Sequence, residues 1–71
     1  MLPLDVLKNA KNKKVVLHTS DQMRYTGYLN DFDVYANTIL SKAEYQSLEN
    51  RSYLGLCVVQ GGTLSYIEII E

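Results

Sequence analysis

The stretch "MRYTGYLNDF", residues 23–32, limits the possible folds more than any other, because it reads as a strand that cannot be straight. Tyr25, Gly27 and Leu29 alternate with a period of two and share a face, but Phe32 stands three positions beyond Leu29 and falls out of phase. A residue bulged out near Asn30 and Asp31 returns Phe32 to the apolar side. Gly27 points the same way, since a strand curling into a small closed barrel needs a residue without Cβ at its sharpest bend. The sheet is therefore expected to bend.

The chain has 71 residues and 46% hydrophobic content, which makes residues 1–71 one small domain with no room for a second core. A single Cys excludes an internal disulfide, and a single His removes most metal-ligand sets and nucleophile-base pairs. No paired carboxylate, Cys-His or Ser-His constellation or phosphate-binding glycine loop is present, so an enzyme is not expected, nor a cofactor or metal. Stability in so short a chain is then expected from association with other subunits. The net charge of -1 argues against one broad basic face for nucleic acid, so any RNA contact has to be local or shared. No apolar run approaches the roughly 20 residues of a membrane span, and no basic-then-apolar leader opens the chain. An intracellular protein without a membrane role is expected.

"MLPLDVLKNAKNKK" predicts a short helix over about residues 3–11, with Pro3 in the first turn, Asp5 near the positive end, and Lys8 and Lys11 near the negative end. Leu4, Leu7 and Ala10 share a face that must cap something larger, because so few turns cannot stand alone. Strands are predicted over about 14–20, 23–32, 37–45, 53–59 and 63–70. In the first, Val15, Leu17 and Thr19 face one way, and Val16 and His18 the other. "YLGLCVV" is apolar throughout, which predicts cover on both faces. In "TLSYIEIIE", Leu64 and Ile67 sit three apart and imply strong twist, while Ile69 and Ile70 leave apolar surface beyond what a small barrel covers. The last two strands therefore read as an association edge. One helix followed by five short bent antiparallel strands is an all-β, SH3-like or OB-like barrel.

Between the second and third strands, Asp33, Tyr35 and Asn37 fall at every second position, so an extended backbone would aim all three to one side. A Tyr ring stacks on any base, an Asn amide complements the Watson-Crick edge of uracil, and an Asp that only accepts can fix the amide's direction. Asp33 can equally order a turn around a partly exposed Tyr35 and a turn Asn37. Gln60, Gly61 and Gly62 read as a tight turn, in which the glycines let backbone approach a nucleotide closely and also permit a positive φ. Cys57 reads as a small buried hydrophobe, and Lys11, Lys13 and Lys14 either as a solvated helix end or as phosphate contacts.

With "GYLNDFDVYANTIL" and "VVQGGTLSYI" in view, the chain resembles the Sm and Sm-like (LSm) family over almost its whole length. Gly27, Leu29, Phe32, Asp33, Tyr35, Asn37 and Leu40 stand at that family's first-motif positions. The second motif is weaker, with Gln60 where Arg is usual and Gly62 where Asp or Asn is usual. The resemblance implies a five-stranded, strongly bent antiparallel barrel with an N-terminal helix, joined into a ring with other Sm or LSm subunits through the fourth and fifth strands. Members in eukaryotes usually form seven-membered hetero-rings, and archaeal members form self-rings. It further implies that uridine-rich single-stranded RNA is held at the pore. Asp33, Tyr35, Asn37, Gln60 and Gly61 are then the RNA-binding residues, in snRNA assembly for splicing or in mRNA decay, in the nucleus or cytoplasm. Gln60 brings neither the charge nor the cation-π contact of Arg, which implies a weaker pocket or a subunit that only closes the ring.

Overall fold

A computed structural model of the chain describes residues 4–70. In order, it contains a helix α1 (Leu4–Ala10), strands β1 (Lys14–Thr19), β2 (Arg24–Phe32), β3 (Thr38–Gln46) and β4 (Arg51–Val59), a single 3-10 turn (Gly61–Thr63) and β5 (Leu64–Ile69). The predicted place of Pro3 in the first helical turn lies outside the described residues. All strand pairs are antiparallel, in a five-stranded sheet of order β4-β3-β2-β1-β5. The bent sheet with its N-terminal helix is the fold expected from the sequence.

The bend follows from residues that interrupt each ladder. In the β2–β3 pair the register shifts between Thr26 and Tyr28 and again between Leu29 and Asp31, so the bulge falls where the phase of Phe32 required it. A Cβ on Gly27 would lie 2.8 Å from the Ser41 carbonyl oxygen and 3.1 Å from the Ala43 Cα, so bare backbone lets β3 close over β2. The kink continues across the sheet. Lys42 adopts φ 50, and Gly55, paired with Ala43, adopts φ 76, a left-handed conformation that favours glycine. In β5 the register with β1 shifts after His18, so that Leu64 pairs with Thr19 and Tyr66 with His18. The three-residue spacing of Leu64 and Ile67 is therefore a bulge at Ser65.

Leu7, Val15, Leu17, Leu29 and Leu40 are fully buried, and α1 contributes Leu7 and Ala10 to the same core. Truncating any one of these leucines to Ala costs about 2–5 kcal/mol, depending on how far the cavity collapses. Val15, Leu17 and Thr19 point inward as their alternation requires.

The expectation that both faces of "YLGLCVV" are covered is corrected. Tyr53, Leu54, Leu56 and Val58 are exposed, and in β4 only Val59 is buried. β4 is an edge strand with β3 as its only neighbour in the sheet, and nothing among the described residues lies over its outward face. β4 also begins two residues earlier than predicted, because Ser47 and Asn50 close a tight turn through their backbone and the Ser47 hydroxyl. β5 forms the other edge, with Tyr66 and Ile69 exposed.

Candidate nucleic-acid interface

Residues 33–37 form a turn, not the extended run that their alternate spacing suggested. The Asp33 N–H donates to the Asn37 carbonyl at 3.1 Å, the Ala36 N–H donates to the Asp33 carbonyl at 3.0 Å, and Ala36 takes φ 64. What brings Asp33, Tyr35 and Asn37 together is a carboxylate. Asp33 Oδ1 accepts from the Tyr35 N–H at 2.9 Å and the Asn37 N–H at 3.0 Å, and Oδ2 accepts from Asn37 Nδ2 at 3.0 Å. The Asn37 amide, helped by the backbone N–H groups of Asn37 and Tyr35, holds the Asp33 carboxyl below its ordinary range against the opposing effect of burial.

This turn is fastened to the 3-10 turn on the far side of β4. The Gly61 N–H donates to Asn37 Oδ1 at 2.8 Å. Gly61 is buried, and a Cβ there would fall 1.8 Å from the Tyr35 carbonyl oxygen, inside its van der Waals shell. The positive φ that glycine permits is not used here, since neither Gly61 nor Gly62 adopts one, and glycine is required at 61 by backbone contact. At Gly62 a Cβ would meet nothing within 4 Å.

The Asn37 amide is thus oriented from both ends, its nitrogen by a carboxylate and its oxygen by a peptide N–H. One N–H and one lone pair remain, the complementary pair that a uracil edge can use. Below it lies a cleft of about 610 Å³. Asp33 and Asn37 line one wall, Gln60 and Gly62 the other, and Phe32, Ile39 and Val58 give an apolar floor. Tyr35 and Gly61 do not line it. Tyr35 is 68% exposed, with its ring outside the cleft, while Gly61 acts from behind through its backbone.

The sequence reasoning missed the floor. Ile39 and Val58 are cross-strand partners, and Ile39 also pairs with Asp31, so the signal was two outward apolar residues at matching register on neighbouring strands. Among the described residues no group of three or more His, Cys, Asp or Glu is placed to hold a metal ion, and no helix is long and apolar enough to cross a membrane. Burial pushes the Cys57 thiol up.

Comparison with known proteins agrees with this architecture. Residues 5–69 match the LSM domain family. A relative from Thermoplasma volcanium, named as an snRNP Sm-like protein, is 33% identical over 66 residues, spanning 92% of this chain and 80% of its own. Among solved structures, the P. aerophilum SmAP1 heptamer superposes with a TM-score of 0.83 at 27% identity, covering 94% of this chain and 90% of that one. The Sm protein of Pyrococcus abyssii, solved in complex with a uridine heptamer, shares the fold with a TM-score of 0.84 at 24% identity, covering 97% and 99%. On the family match and the identity to this relative, the chain belongs to the LSM domain family of Sm-like proteins.

Proposed function

We propose that this protein is a non-catalytic ring subunit that holds uridine-rich single-stranded RNA, one base per subunit, at the cleft between the 33–37 turn and Gly62. The observation that carries the reading is the Asn37 amide, held by Asp33 and Gly61 with donor and acceptor capacity left over at the mouth of the cleft. In this reading Asn37 reads the base, Tyr35 swings in from beside the cleft to stack on it, Asp33 orients Asn37, Gln60 completes the wall, and Gly61 supports Asn37 from behind through its N–H. Subunits join through the exposed edges β4 and β5. Assembly of snRNA particles for pre-mRNA splicing, or mRNA decay, in the nucleus or cytoplasm, is the cellular setting we propose.

A self-ring is the second reading. Both unpaired edges lie on one chain, as a head-to-tail ring of identical copies requires, and the P. aerophilum relative is a heptamer. Mass measurement of the purified chain, alone and with candidate partner subunits, separates self-rings from mixed ones.

The RNA reading is tested by changing Tyr35 and Asn37 together to Ala in the assembled ring and measuring oligouridine affinity. A loss of about tenfold or more is expected, given about 1–3 kcal/mol for stacking alone. Unchanged affinity with intact assembly would instead assign the chain a purely structural place in the ring.

A further inference from the structure

A second feature lies on the outward face of the sheet, two residues along β3 from the cleft floor. Ile39, on the floor, is followed by Ser41 on the same face, whose hydroxyl donates to Asn30 Oδ1 at 2.9 Å. Ser41 pairs with Tyr28 in the β2–β3 ladder. The Lys42 ammonium stands 5.9 Å from the centre of the Tyr28 ring, within cation-π range. Lys14 is the cross-strand partner of Tyr28 on the other side. Cleft floor, hydroxyl-amide pair, aromatic ring and ammonium thus form one track, with the step from Ile39 to Ser41 spanning about 7 Å of strand.

Lys42 has a conformation that its own side chain disfavours. At φ 50 it is left-handed within a strand, where glycine would be the unstrained choice. The kink leaves an exposed ammonium over a half-buried ring. Of the two carboxylates that line the cleft, Asp33 is committed to the donors of its own turn and Asp31 is engaged by Lys11 at 3.7 Å, which leaves the approach less repulsive to an anion. Glu44 lies farther along β3, past the bend.

We propose that Lys42 and Tyr28, with the Asn30–Ser41 pair between them and the cleft, form a second binding surface for the RNA strand, taking the phosphodiester segment of a long strand that runs on beyond the nucleotides held in the clefts. Lys42 meets phosphate as a point charge, and the Tyr28 ring and hydroxyl meet sugar or base. The inference rests on the RNA reading above and deepens it, because it gives a strand longer than the row of clefts a path away from them. Repeated around a ring, weak interactions of this kind act together on one long strand.

The test uses the assembled ring and two probes, an oligouridine of about 6 nucleotides and one of about 30, titrated over a range of salt. In the native ring the long probe binds more tightly and with a steeper salt dependence. Lys42→Gly, which removes the charge and relieves the backbone, is expected to keep or raise the melting temperature and to leave the short probe's affinity unchanged. It should weaken the long probe by about three- to tenfold, and the salt slope should fall by about 0.7 for each phosphate that is no longer neutralised. Lys42→Gln, with the native backbone strain, should weaken the long probe equally. Long-probe affinity and slope unchanged in both variants would overturn the proposal. Polyglutamate binding that is lost in the Lys42→Gln ring while long-probe affinity is kept would also overturn it, by assigning the surface to an acidic protein segment. If the native ring fails to bind even the short probe, the cleft reading itself is wrong, a result distinct from either of these.

Discussion

The two loops at opposite ends of β3 have similar jobs and opposite natures. The 47–50 turn closes on itself, with the Ser47 N–H donating to the Asn50 carbonyl and the Asn50 N–H to the Ser47 hydroxyl, and Leu48 at its tip is 88% exposed. The 33–37 turn is also closed by its own backbone, but it commits the Asp33 carboxylate to three further donors and then bonds through Asn37 to Gly61, on a different element. A loop that only reverses the chain needs nothing from its neighbours. A loop that must present one amide in a fixed direction needs a carboxylate behind it and a second loop beside it.

Five substitutions or conditions probe that contrast. Gly61→Ala should do most damage, because its Cβ would occupy the place of the Tyr35 carbonyl and drive the two turns apart. A destabilisation of about 2–3 kcal/mol is expected in chemical denaturation, together with loss of oligouridine binding. Asn37→Ala removes the acceptor of the buried Gly61 N–H and should cost about 1 kcal/mol by the same measurement, and Gly61 amide exchange should rise.

Acidification comes next. The Asp33 carboxyl is held below its ordinary range by bonds present only in the folded turn, so its contribution is complete above the unfolded carboxyl value of about 3.9 and is lost as pH falls through the lower folded value. Amide exchange at Tyr35 and Asn37, corrected for intrinsic rates, should therefore lose protection in that acidic window while exchange at Ser47 and Asn50 does not. Gly62→Ala, one position from the most sensitive glycine, should stay within about 0.5 kcal/mol of the native protein, because its Cβ meets open space. Leu48→Ser should be the mildest change, also within about 0.5 kcal/mol and with oligouridine affinity intact. A large effect at Leu48 would break the comparison and point to a partner on that loop.

The bend and the core were legible because both are written in short-range pattern. A period-two strand that slips phase at Phe32 announces its bulge, and a glycine among apolar neighbours announces a close approach. The covered faces predicted for "YLGLCVV" failed because an apolar run shows that surface is to be covered without showing by whom, and β4 is an edge. At the candidate site the residues could be named but their geometry could not. Alternate spacing of Asp33, Tyr35 and Asn37 fits a strand as well as a turn gathered by one carboxylate, and only the structure separates the two. The contact of Gly61 with Tyr35 joins residues far apart in the chain, and no local pattern encodes it.

The order of the sheet, with β4 at one margin and β5 at the other, gives each molecule the form of a wedge-shaped stone in an arch. How many such stones complete a circle depends on the angle between their two sides, and the ladder irregularities at Gly27, Ala43 and Gly55 lie between those sides, where a bend would alter it. In the proposed assembly, stoichiometry then depends on three small residues, of which Gly27 and Ala43 are buried within the fold and only Gly55 lies on a joining edge. Altering the fold line would change the diameter of the circle before it changed the grip of any one pocket.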